Sequence, residues 1–239
     1  MYDKREAVSS ICFSEVARAA VETAAASPYH QFPEKDGNAV RTRTGLFLLM
    51  AAACAFPLVA EAQWRMAEQV KTYPISGTSG IELYSSIGEK GPKVGSHVRA
   101  IAHTNFKLTW SRNYVPQPDG ACTLVSARPN LTITYVLPQP VTALPPPLDA
   151  AWRVFIDGVR KHERVHAEQI KAMVAEIEKV SVGLSVPADP KCTKVRAELT
   201  SKLGEISRAR VKKSQDFDKV ELSEGGNVHQ LILNLVNPG

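Results

Sequence analysis

Ten residues, Pro138 to Pro147, hold five prolines, and they separate two stretches with incompatible hydrophobic periods. Proline has no N–H and a fixed φ, so this connector belongs neither in a helix interior nor in a central strand. Before it, from His97 to Trp110, every second residue is of one kind. Val98, Ala100, Ala102, Phe106, Leu108 and Trp110 fall on one side, and His97, Arg99, His103, Asn105, Lys107 and Thr109 on the other. That is a strand with one buried face. After the connector, Trp152, Phe155, Ile156, Val159, Ile170, Met173, Ile177 and Val180 recur at three- and four-residue spacing, the period of an amphipathic helix. A strand-patterned half followed by a helical half predicts an α+β fold, with the helices covering one small antiparallel sheet.

The details refine this division. Pro116 to Gly120 reads as a turn, and Ala121–Ala127 and Leu131–Leu137 as two further strands. Thr78 to Glu89 reads as a short helix capped by Thr78 and ended by Gly91-Pro92. Asp149 is the expected N-cap of the helix that runs to about Val182. Asp189-Pro190 restarts a second helix as N-cap and first helical residue, with Val195, Leu199, Leu203 and Ile206 as its apolar stripe. The two helices are expected to form an antiparallel hairpin.

The segment 45–60, GLFLLMAAACAFPLVA, carries no charge. Arg41 and Arg43 precede it and Ala60-Glu61-Ala62 follows it, the parts of a secretory signal peptide cleaved after Ala62. A membrane anchor is the competing reading, but the run is short for a span and Pro57 interrupts it. Residues 1–62 are therefore read as an N-terminal extension and signal peptide, and 63–239 as one domain. That domain comprises a β-rich half at 73–137, the connector at 138–148 and a helical hairpin at 149–222. The expected location is periplasmic or secreted, with no stable membrane span after cleavage. Only Cys122 and Cys192 remain in this mature chain, and an exported pair is expected to oxidise, tying the two halves. The segment 1–62 holds six Lys/Arg and seven Asp/Glu, so removing it moves the net charge only from +5 to +6. The basic residues are spread evenly and there is no aromatic–basic stripe, which disfavours nucleic-acid binding. Nothing in the composition fixes an oligomeric state.

One motif carries chemistry. His162-Glu163-Arg164-Val165-His166 is an HExxH sequence in the middle of the predicted helix. Four residues are just over one turn, so both imidazoles point the same way and can hold one metal ion. Glu163 lies beside that face as the candidate catalytic base for a zinc-bound water. His162 and His166 also continue the buried stripe between Val159 and Ile170. Burying unpaired polar groups costs several kcal/mol, so a buried histidine pair needs a reason. The structural alternative is two core histidines bonded to protein groups.

Several features together resemble the DUF922 family, described as predicted secreted zinc-dependent proteases. Tyr73-Pro74-Ile75-Ser76-Gly77-Thr78 resembles its opening Y-x-I-x-G-x-T, Gly91-Pro92 its GP turn, and Thr104 to Trp110 its T-x-(aromatic)-x-x-x-W strand. Cys122, Leu137-Pro138, Trp152, the HExxH and Cys192 follow in the family's order, so the resemblance spans about Tyr73 to Gly226. It implies a zincin-like metallopeptidase with zinc as cofactor and a peptide or protein as substrate.

A catalytic zinc usually takes three protein ligands. The family's closing pattern, Y-D-x-x-T-x-H-G, offers a histidine, but here Phe217-Asp218 is followed by Glu221 at the threonine position and Ser223 at the histidine position. Glu221 is the first candidate for third ligand beside His162 and His166. Asp218 is the alternative ligand or an outer partner, and His229 a more distant one. Register speaks against Glu221 in a straight hairpin. A turn centred near 183–188 sets His166 against Ile206, leaving Glu221 over roughly 20 Å further along the helix at 1.5 Å per residue. Two functions follow: an exported zinc metallopeptidase, or a non-catalytic envelope protein that keeps the scaffold for metal binding or interaction.

Overall fold

The computed structural model describes residues 9–12, 64–94 and 98–237. The apolar segment 45–60, the cleavage site after Ala62 and His97 lie outside the described residues. The chain is α+β, with strands β1 (Ser9–Cys12), β2 (Arg65–Ile75), β3 (Lys93–Val94), β4 (Val98–Pro116), β5 (Cys122–Pro140) and β6 (Ser185–Val186). Its helices are α1 (Gly80–Lys90), α2 (Pro146–Ser181), α3 (Thr193–Leu222) and α4 (Asn227–Val236).

The sheet is mixed rather than purely antiparallel, with strand order β1-β4-β5-β2. β4 and β5 form a long antiparallel pair, from His103↔Val136 to Pro116↔Cys122. β2 runs parallel to β5, from Arg65↔Asn130 to Ile75↔Pro140. Arg65 to Thr72 is exposed throughout, so β2 carries none of the alternation that marks a half-buried strand. β1, inside the expected N-terminal extension, pairs antiparallel with the other edge of β4.

The two strands expected at 121–127 and 131–137 are one, continuous through Pro129. Pro129 pairs with Trp110 on β4, and on the other side of β5 strand β2 joins only at Asn130. A missing N–H is tolerated in a strand where one edge lacks a partner. On β4 the alternation holds from Phe106 to Trp110, whereas Ala100, Ala102 and the intervening Ile101 are all buried.

Helix boundaries also differ from expectation. α1 is capped by Ser79, whose hydroxyl accepts from the Glu82 N–H, rather than by Thr78. α2 begins at Pro146, not after Asp149. Prolines fit a first helical turn because the N–H groups there have no intrahelical acceptor. Asp149 instead lies in the first turn and pairs with Arg153 at 2.7 Å. α3 begins at Thr193, with Cys192 in the left-handed region at φ 56°. Asp189 still satisfies its first turn, accepting from the Thr193 N–H at 2.8 Å and the Val195 N–H at 2.9 Å.

One hydrophobic core spans both sides of the proline connector. It includes Ile75 and Leu83, Ile101, Leu131 and Ile133 of the sheet, Phe155, Val159 and Ile170 of α2, and Ile232 and Leu235 of α4. α4 turns back after Gly225, whose φ of +81° is a conformation that glycine alone adopts without strain. α4 then lies so close to α2 that a Cβ on Gly158 would stand 2.2 Å from a Leu231 methyl.

The link between α2 and α3 sets the register of the site. Residues 183–189 run alongside β5: Gly183 N–H donates to Leu124 O, β6 pairs with Cys122 and Thr123, and Asp189 N–H donates to Gly120 O. The Cys122–Cys192 disulfide closes this corner. Only then does α3 start. This excursion invalidates the assumption that both helices end level at a central turn. His166 lies 15 residues before the end of α2, whereas Ser214, its partner on α3, lies 21 residues after the start of that helix. The six-residue difference corresponds to about 9 Å of helix. α3 therefore reaches the histidines as one continuous 30-residue helix, with no early end.

Candidate metal centre

α2 buries His162, Glu163 and His166 on the face that carries Val159 and Ile170. α3 supplies the opposite wall, and its inward face changes character along its length. Val195, Leu199 and Ile206 give way to Arg210 and Ser214, all buried, and then to Asp218 and Glu221.

Asp218 Oδ1 stands 3.1 Å from His162 Nε2 and 2.8 Å from His166 Nε2, and the two Nε2 atoms are 2.9 Å apart. His162, His166 and Asp218 thus form a buried group that could hold a metal ion. Donors about 2.0–2.2 Å from one zinc ion at tetrahedral angles stand roughly 3.3–3.5 Å apart, a few tenths of an ångström wider than this triangle. The donor set, two imidazole nitrogens and a carboxylate oxygen, is one that zinc commonly takes. Burial pushes the Asp218 carboxyl up, but hydrogen bonds from the two imidazoles, together with their charges, outweigh that and hold it below the usual carboxylate range.

Glu221, the first sequence candidate for third ligand, is one turn further along α3. Its Oε2 is 3.6 Å from His162 Nδ1, the outer nitrogen of that ring, and its Oε1 accepts from Asn227 Nδ2 at 2.7 Å. Ser223 donates its hydroxyl to the Lys219 carbonyl and closes the last turn of α3. His229 is buried on α4, where its Nδ1 accepts from the Gly225 N–H; it lies outside the triangle. Phe217 stacks on His162 with ring centroids 4.7 Å apart.

Glu163 is fully buried. Thr104 of β4 donates its hydroxyl to Glu163 Oε2 at 2.5 Å, while Oε1 is buried with no hydrogen-bond partner among the described residues. Desolvation pushes the Glu163 carboxyl up, and the charges of His166 and His162 and the Thr104 hydroxyl only partly counter it. A cavity of about 510 Å³ opens beside His162, Phe217 and Glu221, between α2 and α4.

Four contributors were not singled out from the sequence. Thr104 appears there only as the start of a strand motif. Ser214, Gln169 and Arg210 follow from the packing of α3 against α2 and β4: Ser214 meets His166 at 3.1 Å and Gln169 at 2.8 Å, and the Arg210 guanidinium lies 5.6 Å from the centre of the Phe106 ring. A polar residue at a helical stripe position is the one available signal, and it does not name its partner.

These features define an α+β protein with a buried His–His–Asp group on facing helices, its two histidines in HExxH spacing. The family model described as "Bacterial protein of unknown function (DUF922)" matches residues 70–226, and the chain belongs to that family. No curated protein and no solved structure matches it.

Proposed function

We propose that this chain is an exported zinc-dependent peptidase of zincin-like construction, with the sheet and the HExxH helix enclosing the reaction. The observation that carries the reading is the convergence of His162, His166 and Asp218 on one point, with the buried carboxylate of Glu163 on the same helix. A zinc ion held by the three donors would polarise a peptide carbonyl and make water acidic enough to attack it.

The chain's own residues would do the rest. Glu163 Oε1, which has no hydrogen-bond partner among the described residues, takes the proton of the attacking water and later delivers it to the departing amine. Thr104 holds the other carboxylate oxygen, so Glu163 cannot rotate away. Burial raises the affinity of Glu163 for that proton, which suits a base that must also act as an acid. Phe217 shields one face of His162 from water.

Export is supported by the Cys122–Cys192 disulfide, a bond that persists in oxidising compartments, together with the leader-like segment 45–62 of the sequence. Among the described residues no helix is long and apolar enough to cross a membrane.

The test is metal analysis of the purified protein together with a broad peptide library. One zinc per chain is expected, and Glu163→Gln should keep it while hydrolysis falls by about 10²–10⁴-fold. A protein that holds zinc but cleaves nothing belongs to the non-catalytic envelope reading, and one that binds no metal sinks the site.

A further inference from the structure

We infer that β1 is an internal blocking strand. The N-terminal extension lays Ser9–Cys12 along the outer edge of β4, in the groove between β4 and α3 that leads to Glu163, and there holds the place of an extended peptide. The inference rests on the peptidase reading for what the groove admits, and adds what keeps the groove shut.

β1 covers one part of a long edge. Ser9 pairs with Thr104, Ser10 with His103 and Cys12 with Ala100. β4 runs on to Pro116, and among the described residues no strand pairs with that edge beyond Thr104. Thr104 is the residue whose hydroxyl holds Glu163 Oε2. The covered part of the edge therefore ends on the residue that joins β4 to the HExxH carboxylate.

The other neighbour of β1 is α3, and the two backbones come within 8 Å of each other. Arg210 on α3 stands 5.6 Å from the centre of the Phe106 ring, two residues along β4 from Thr104. Ser214 and Asp218 follow about one and two turns later on the same helix, against His166 and His162. The section of α3 that faces this part of β4 thus leads directly to the site. An extended chain running along β4 here would pass between the sheet edge and that helix, and β1 already occupies that path.

The backbone groups of a sheet edge pair with any extended partner, so a strand seated there from the same chain excludes one from outside. β1 suits the task of a removable occupant. It is four residues long, and the whole of 13–63 separates it from Trp64. The leader cleavage expected after Ala62 falls within that connection. Hydrolysis of the Ala62–Gln63 bond by a leader peptidase would leave β1 held by its ladder alone. Ala7 to Ser14 contains no charge and no proline. The peptide that the vacated edge takes is of the same class, an uncharged, proline-free segment lying antiparallel to β4.

The experiment uses the full chain without metal, so it depends neither on zinc nor on hydrolysis. A fluorescent peptide of the sequence 5–16, carrying Cys12→Ser to prevent disulfide exchange, is titrated into three proteins and followed by anisotropy. They are the wild type, Ser9→Pro/Ser10→Pro and Ser9→Ala/Ser10→Ala. Consecutive residues of a strand turn their N–H groups to opposite sides, so two successive prolines remove a donor toward β4, whereas the alanine pair keeps both. A tethered strand competes with free peptide at an effective concentration of roughly 0.1–1 mM, so its release should strengthen peptide binding by about 10-fold or more. The alanine variant should bind as weakly as the wild type. In hydrogen exchange, the amides of 100–104 should lose protection in the proline variant and regain it when peptide is added. Equal binding by the wild type and the proline variant, or no binding by either, overturns the proposal. So does unchanged protection of 100–104, or loss of the fold in the proline variant, since a removable strand cannot be indispensable to the domain. A wild type that holds no zinc or cleaves nothing overturns the peptidase reading instead, and leaves the binding and exchange results standing.

Discussion

Thr104 on β4 donates its hydroxyl to Glu163 Oε2 at 2.5 Å, across 59 residues of chain, and so couples the sheet to the acidic residue of the HExxH helix. Both groups are buried. Thr104→Val keeps the β-branched shape and removes the donor. A hydrogen bond to a charged group contributes about 1.5–3 kcal/mol, so the proposed hydrolysis should slow by roughly 10–100-fold through kcat. Zinc content should not change, because Thr104 touches none of the three donors. Hydrolysis at the wild-type rate in Thr104→Val would show that Glu163 is held by its own helix alone.

The third donor can be assigned by comparing losses. Asp218 Oδ1 lies within 3.1 Å of both Nε2 atoms, whereas Glu221 approaches the opposite edge of one ring. Asp218→Ala should therefore weaken zinc binding well beyond the about 10–100-fold typical of an outer partner, with the metal-free fold retained. Calorimetric titration reads this directly. A smaller loss in Asp218→Ala than in Glu221→Ala would transfer the third position to Glu221.

The parts of the fold legible in the sequence are those with a local period. Phe106 to Trp110 and Val159 to Ile177 announce their partly buried or buried faces, and HExxH announces two histidines on one face. β2 is not legible, because an edge strand exposed along Arg65–Thr72 has no alternation to detect. Nor is the start of α2, because Pro146 and Pro147 signal both a broken connector and a permitted first turn. The choice between Asp218 and Glu221 depended on helix register. That register is set by a connection running beside the start of β5 and the turn before it, from Leu124 back to Gly120, a tertiary excursion that the loop's own residues do not encode.

Asp189 gives the start of α3 a pH dependence whose sign is fixed. Burial pushes its carboxyl up, but hydrogen bonds from the backbone N–H groups of Val195, Lys194 and Thr193 prevail and hold it below the usual range. A carboxylate depressed in the folded state contributes stability that is fully present above its unfolded pKa of about 3.9 and is lost as pH falls through the folded value. Asp189→Asn should therefore melt below the wild type at neutral pH, and the gap should close in acid. Melting curves from pH 7 down to pH 2 measure it, and a gap that stays constant over that range would mean the ionised form is not what caps the helix.

The disulfide should affect stability and the site unequally. Cys122 and Cys192 are 70 residues apart, and a cross-link over a loop of that length stabilises by about 2–4 kcal/mol, chiefly by restricting the unfolded chain. Replacing both cysteines by serine should lower the melting temperature by roughly 5–15 °C for a chain of this size. Asp218 is 26 residues beyond Cys192 on α3, about 39 Å of helix at 1.5 Å per residue. The backbone hydrogen bonds of the 183–189 connection and the contacts of Asp218 with His162 and His166 should hold the register of α3 against α2 without the bridge. The serine variant, assayed at a temperature where it is folded, should therefore bind zinc with wild-type stoichiometry and close to wild-type affinity. A variant that stays folded but loses the metal would show instead that the bridge sets the register of α3 against α2.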